Sequence, residues 1–422
     1  MLGINYLTAD ASTLEKVHPA TYMIIITFSI WIIQSIGDKN RAIDLKKVKF
    51  CVYYLICTMV VLLYAVSFLE GQLALIADSF MCPPLFMMMM HFLTPKQRQV
   101  LLAMVLAFVA LNVVIIFYEF GTGSLFLPPV YNDFVDLKVV HTASATEYEG
   151  RASGLYGHPL SAGTLTLIFL VAAIETSRRH RWQMATMTLT AGAIATFPTF
   201  GSRWSILLFG CYCAFVTARF LYNVSKSRRI SQQAIVIFFV ICFGALPAGI
   251  VAGQLGVFDT LVDRFQNDNG SAESRMAAWE IFVSSEPAEI FLGDVDGNVS
   301  NKLIVGDTAY GIEVFWLGFV MRYGVLCAAL YFPSLLGLMY QLYKDGGTMG
   351  AMVAIAFLAA ISGSLSILGK TELFSQVVIF AYAMIPIGYG PKGVTRQTGQ
   401  SAVVTRLLRT GPRWSDEPAP TR

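Results

Sequence analysis

The sequence predicts an all-α integral membrane protein, a polytopic bundle of about eleven hydrophobic helices, and three observations lead there. Of 422 residues, 55% are apolar and only 14% charged, against roughly 45–50% and about 25% in a soluble domain. Apolar runs of about 20 residues, the length that crosses a bilayer as a helix, recur along the whole chain. These runs are near-continuous, without the alternation of a β-barrel strand, and hydrocarbon leaves the backbone no partner outside itself, so the spans are helical.

In chain order the spans fall at 20–36, 50–69, 73–93, 99–118, 159–176, 183–199, 204–222, 233–253, 323–342, 349–369 and 373–390. The run at 73–93 is the least regular, because it carries Asp78 and the pair Pro83-Pro84, and it reads as a broken span. The seven cysteines fall inside or at the edge of spans and read as small apolar packing residues; Cys211 and Cys213, two apart, point from different helix faces. No inverted or parallel repeat is visible, which counts against a transporter built from repeats.

Orientation follows from lysine and arginine. Most of the 30 basic residues lie in one alternate set of loops, including Lys39 to Lys49, Lys96 and Arg98, Arg178 to Arg181, and Arg219 to Arg229, and in the tail. That side is expected to be cytoplasmic. The C-terminus then lies inside and the short N-terminus outside; an even count would need one more span before residue 20. No cleavable signal peptide is expected, since Met1 to Pro19 lacks a basic start and an apolar core. The expected organisation is one helical domain over 1–390 and a Pro-, Thr- and Arg-rich disordered cytoplasmic tail over 391–422.

Two segments are too long for turns, about 119–158 and 254–313, and both fall on the outer side. Loops of this length tend to carry function, and these two hold Lys138, Arg151, Arg264, Arg275 and Lys302, five of the nine basic residues that break the charge rule, with Lys16, Arg203, Arg322 and Lys370 elsewhere on the same side. Arg203 lies in Gly201-Ser202-Arg203-Trp204, a tight turn between spans. Ser202 is placed to cap the next helix, whose positive end and free N–H groups then suit a phosphate beside the guanidinium. The alternative is an interfacial anchor reaching lipid headgroups. Arg275 follows Asn267-Asp268-Asn269-Gly270-Ser271, a helix-opening signal, and shares a stripe with Trp279, Phe282 and Glu286. An arginine on such a stripe wants an anion, either an acid such as Glu286 or a ligand.

Arg264 has Asp263 and Asp259 nearby as local partners. Arg151 opens the glycine-rich approach Arg151-Ala152-Ser153-Gly154-Leu155-Tyr156-Gly157-His158-Pro159, where glycines serve either close approach to a ligand or folding into the interface. His158 caps or pairs, structurally or with substrate. Glu313, in Gly311-Ile312-Glu313-Val314-Phe315-Trp316, is either a general base towards a hydroxyl or the structural partner of Arg275 or Arg322. No spaced His/Cys/Asp cluster and no nucleotide loop is present, so no metal or cofactor is expected and the energy must come from the substrate. Outward arginines without a metal point to a lipid-linked pyrophosphate, held bidentately and stabilised as it leaves.

At these residues the chain resembles the O-antigen ligase and Wzy-type polysaccharide polymerase superfamily. The matching pieces are Arg151 to Pro159, Gly201-Ser202-Arg203, Asn269 to Arg275 with Trp279, Phe291-Leu292-Gly293, and Glu313 to Gly324. Within it the chain looks most like exopolysaccharide polymerases of the VpsF type, through Gly157-His158-Pro159-Leu160 and the Glu313 string. The resemblance spans about residues 110 to 345, of which some thirty are specific.

It implies a GT-C-like, metal-independent, inverting glycosyltransferase of the bacterial inner membrane with periplasmic loops, joining undecaprenyl-pyrophosphate-linked repeat units. Membrane lipid, a chain-length regulator and a flippase of the same pathway are the implied partners, and nucleic acid is not. Catalytic roles pass to Glu313, Arg275 and Arg203; pyrophosphate or glycan binding passes to Arg151, His158, Arg264 and Trp279. Ligases have a histidine about eleven residues before a helix-starting glycine; here Glu313 precedes Gly324, which favours polymerase over ligase. A ligase remains the enzymatic alternative, and a lipid-linked glycan flippase the alternative of another class.

Overall fold

The computed structural model describes residues 19–37, 45–69, 77–91, 93–126, 152–156, 159–177, 184–227, 253–254, 271–294, 314–363 and 373–385. These belong to a compact unit over Met1–Ile387; a second unit, Gly388–Arg422, and the expected span at 233–253, but for its last residue, lie outside them. Among the described residues the structure is helical without strands: α1 (Pro19–Gly37), α2 (Lys49–Phe68), a π-turn (Ala77–Met81) leading into α3 (Cys82–Met90), α4 (Pro95–Thr122), α5 (Pro159–Ser177), α6 (Met184–Thr196), α7 (Arg203–Ser227), α8 (Ser271–Ser284), α9 (Pro287–Leu292), α10 (Phe315–Gly363) and α11 (Leu373–Met384). By length and composition five helices among the described residues can cross a membrane, α2, α4, α5, α7 and α10, and α1 and α11 contain shorter apolar helices.

Local chemistry sets the boundaries. Thr94 opens α4 with a capping box, its hydroxyl accepting from the Gln97 N–H while Gln97 Oε1 accepts from the Thr94 N–H, and Pro95 needs no donor there. Gly123 closes α4 in the left-handed region (φ 64°), so the helix runs four residues past the expected end and takes Glu119 into its last turn. The irregularity expected near Asp78 takes the form of a π-turn that runs without interruption into α3, through a helical Met81 and with Pro83 and Pro84 in the first turn of α3, so no break is seen over 77–90. The buried Asp78 carboxylate accepts from the Thr21 hydroxyl of α1. In α10, Gly324 (φ 80°) and Gly347 (φ 60°) interrupt the helix, so the expected spans 323–342 and 349–369 overlap two of its three segments, 325–346 and 348–363. The segment 315–323 lies ahead of both.

α5 is the centre of the bundle, with 83% of its apolar window buried, whereas α7 buries 6%. The outward face of α7 is apolar, with Leu207, Phe215, Leu221 and Tyr222 exposed, a surface suited to lipid. Cys211 and Cys213 are exposed on α7 too, which corrects the reading of all the cysteines as packing residues; Cys51, Cys57, Cys82 and Cys327 are buried. α10 packs on α2 through an aromatic layer in which Phe319 stacks on Tyr331 at 4.5 Å, and the Tyr331 and Tyr54 hydroxyls meet at 2.7 Å, so neither buried phenol lacks a partner.

Two ends of the bundle are fixed by α5. Near its start, Gly163 lies so close to Ser202 that an added Cβ would stand 2.8 Å from the serine Cβ. Near its far end, Thr176 donates to the Met384 carbonyl of α11 at 3.1 Å.

That far end holds a polar cluster with no counterpart among the sequence expectations. Asp345 pairs with His91 at 2.8 Å and accepts from Gln341 Nε2 and the Tyr382 hydroxyl, while Gln341 Nε2 also donates to the Lys47 carbonyl at 2.8 Å. Four elements therefore meet on one carboxylate and its glutamine. Asp345→Ala is expected to leave the imidazole, amide and phenol without their shared acceptor and to cost about 3 kcal/mol. Thermal unfolding in detergent would show it as a lowered midpoint; an unchanged midpoint would mean that the cluster is not structural.

Candidate functional site

The turn before α7 is built to hold its first residues rigidly. α6 runs into a 3-10 turn at Phe197–Phe200, and Gly201 reverses the chain at φ 59° with its N–H on the Pro198 carbonyl at 3.2 Å. Ser202 is buried; its carbonyl accepts from Ile206 N–H at 3.1 Å and its hydroxyl donates to Ser205 Oγ at 2.9 Å. Arg203, half-buried, is the first residue of α7 and stands at the positive end of that helix. Trp204 anchors the other side: its indole N–H donates to the Ala359 carbonyl at 2.8 Å, and its ring lies where a Cβ on Gly363 would sit.

A second segment joins this turn. Arg151 lies outside the described residues, but its neighbour Ala152 donates its N–H to the Thr199 carbonyl at 3.2 Å. The next amides go to α4: Ser153 and Gly154 N–H donate to Glu119 Oε2 at 2.9 and 2.8 Å, and Leu155 N–H to Asn112 Oδ1 at 2.8 Å. Gly154, at φ 58°, approaches so closely that a Cβ would meet Asn112 Oδ1 at 2.3 Å. At this glycine the close approach is therefore to the protein's own helix. Tyr156 packs edge-on to Phe108 at 5.5 Å, and burial pushes its phenol up, which keeps it a neutral hydroxyl rather than a base.

The third segment is the start of α10. Glu313 lies outside the described residues; two positions later Phe315 is fully buried, and the Trp316 indole N–H donates to Ser362 Oγ. Ser362 precedes Gly363, the residue under Trp204. Two tryptophans, one beside Arg203 and one three residues after Glu313, thus rest on the same last turn of α10.

The Arg275 region joins the bundle elsewhere. Arg275 is in α8, with its side chain outside the described residues, and α8 buries Ala278 while Trp279 is exposed (54%) and packs on Phe282 at 5.6 Å. Glu286 does not continue the expected stripe: α8 ends at Ser284, and Glu286 caps α9 in a reciprocal box with Glu289 ahead of Pro287. α9 then docks on the break in α10. Gly293 (φ 85°) and Gly324 (φ 80°) meet backbone to backbone, Asp294 N–H donates to the Arg322 carbonyl at 3.3 Å, and the Tyr64 hydroxyl donates to the Leu292 carbonyl. His158 and Arg264 lie outside the described residues.

Sequence reasoning missed Glu119 and Asn112. The signal was present: Val105, Val109, Asn112, Ile116 and Glu119 form the buried stripe of α4 at alternating four- and three-residue steps, and two of its members are polar. Among the described residues no group of three or more His, Cys, Asp or Glu is placed to hold a metal ion. Comparison with known proteins assigns no family: no family model, no curated protein and no solved structure matches the chain.

Proposed function

We propose that this chain is a polysaccharide polymerase of the bacterial inner membrane, a GT-C-like bundle of about eleven spans whose Arg203 end faces the periplasm. The observation that carries the reading is the meeting of three distant segments at that end: the Arg203 turn, the stretch after Arg151 and the stretch after Glu313. Each was singled out in the sequence for anion or hydroxyl chemistry.

In the proposed reaction a hydroxyl of an incoming lipid-linked repeat unit attacks the anomeric carbon of the growing glycan. The carbon–oxygen bond to pyrophosphate breaks with inversion, undecaprenyl pyrophosphate leaves with the electron pair, and Glu313 takes the hydroxyl proton. Arg203, with the positive end of α7 behind it, stabilises the charge developing on the pyrophosphate, and Arg151 and Arg275 add to it.

The test is to incubate purified protein with a lipid-linked repeat unit, without nucleotide sugar. A ladder of longer glycans is the expected result. Transfer of a finished glycan to a different acceptor would make the chain a ligase, and movement of intact substrate across a liposome bilayer would make it a flippase.

A further inference from the structure

We infer that Glu119 is the positioning residue of the Arg203 turn. Its carboxylate is buried in the last turn of α4, where a negative charge opposes the helix dipole and gains nothing from lipid. What holds it there is a set of backbone donors: Oε1 accepts from Phe126 N–H at 2.9 Å, and Oε2 from Ser153 and Gly154 N–H at 2.9 and 2.8 Å. Phe126 and Ser153 are 27 positions apart in the chain, so one side chain ties two stretches of backbone that are distant in sequence.

Ser153 is adjacent to the residue that reaches the turn. Ala152, one residue before Ser153, gives its N–H to the Thr199 carbonyl at 3.2 Å, and Thr199 lies two residues before the left-handed Gly201 and four before Arg203. The path from Glu119 to Arg203 is therefore a carboxylate, two amides, one backbone hydrogen bond and one tight turn, and Ala152, Ser153, Gly154 and Thr199 to Ser202, which make it, are all buried. Asn112 supports the same segment from one face of α4, and Gly154 is the residue whose missing Cβ lets the segment lie against that face. A carboxylate is required because an amide cannot offer acceptor oxygens to both ends of the segment at once: one of its two polar atoms is a donor. That the turn serves an anion rests on the function proposed above; that Glu119 places the turn does not.

The experiment uses the full chain in detergent and compares wild type with Glu119→Gln and with the milder Glu119→Asp. Hydrogen exchange is followed at the 152–155 amides and at the 199–204 turn, and binding of inorganic pyrophosphate is measured in parallel. In Glu119→Gln, exchange is expected to rise in both segments, and pyrophosphate affinity to fall about tenfold. Glu119→Asp keeps both acceptor oxygens on a shorter stem and is expected to show smaller changes of the same kind in both segments and in pyrophosphate affinity. Faster exchange confined to 152–155, in Glu119→Gln or, should that variant not fold, in Glu119→Asp, would overturn the inference. A wild type that protects the turn but binds no pyrophosphate would leave Glu119 as positioning residue and overturn the anion role instead.

Discussion

Gly324→Ala is expected to detach α9 from the bundle. At φ 80° and ψ 163° the residue occupies backbone space that is nearly closed to any side chain. An added Cβ would also stand 2.3 Å from the Phe291 carbonyl oxygen and 2.8 Å from Gly293 N, both backbone atoms that cannot rotate away. Strain of about 1–3 kcal/mol from the dihedral alone adds to the lost contact, so a total of about 4 kcal/mol is the expected scale. Gly293→Ala should do the same from the opposite side, its Cβ falling 2.5 Å from the Arg322 carbonyl oxygen at φ 85°. Because the two glycines share one contact, the double variant should cost much less than the sum. Limited proteolysis of the 285–294 region reports the detachment directly. Full protection of that region in Gly324→Ala would mean that the two backbones can separate without releasing the helix.

Arg203→Ala is expected to abolish polymer formation while the protein remains in the membrane. The hypothesis rests on Arg203 being the cation at the start of α7, beside a turn held from three sides. Loss of one well-placed donor to a developing negative charge lowers a rate by about 10² to 10³, and a glycan ladder made by repeated transfer would shorten to its first rung. Arg203→Lys keeps the charge but loses the planar fork that grips two phosphate oxygens, so it should recover only a small part of the rate. Thermal unfolding separates this outcome from simple loss of fold, since the turn is also pinned by Ser202 and Trp204. Normal ladder length in both variants would remove Arg203 from the chemistry, and with it the main support for the proposed function.

Much of the architecture was legible because burial in a bilayer writes a long signal. Runs of about 20 apolar residues marked α2, α5 and α7 to within a few positions, and Asp78 with Pro83-Pro84 marked the irregular, π-turned start of α3. Hydrophobicity alone does not tell a residue facing lipid from one facing protein, which is why Cys211 and Cys213 were misread. The site was legible in part. Gly201-Ser202-Arg203 declared its turn through local chemistry. Glu119 and Asn112 did not, since apart from the Phe126 amide their partners are backbone amides 34 to 43 residues on, and an amide has no sequence signature. The Gly293–Gly324 contact and the Asp345 cluster are equally non-local. Glu286 was misplaced for a different reason: a stripe drawn over eleven residues ignored Pro287, which starts a new helix and makes the residue before it a cap.

The Asp345 cluster has a consequence for the order of assembly. Gln341 takes the Lys47 carbonyl 294 residues upstream and faces His91 250 residues upstream, and Asp345 waits for Tyr382 on the last described helix. During synthesis at about 5–20 residues per second, the early partners are inserted on the order of tens of seconds before the groups that satisfy them. Until then the Lys47 carbonyl and the His91 imidazole must take other partners. Arrival of α10 supplies Gln341 and Asp345 to Lys47 and His91, and Tyr382 of α11 then completes the carboxylate, so the placing of α2 against α3 is settled by residues made some 250 to 294 positions later.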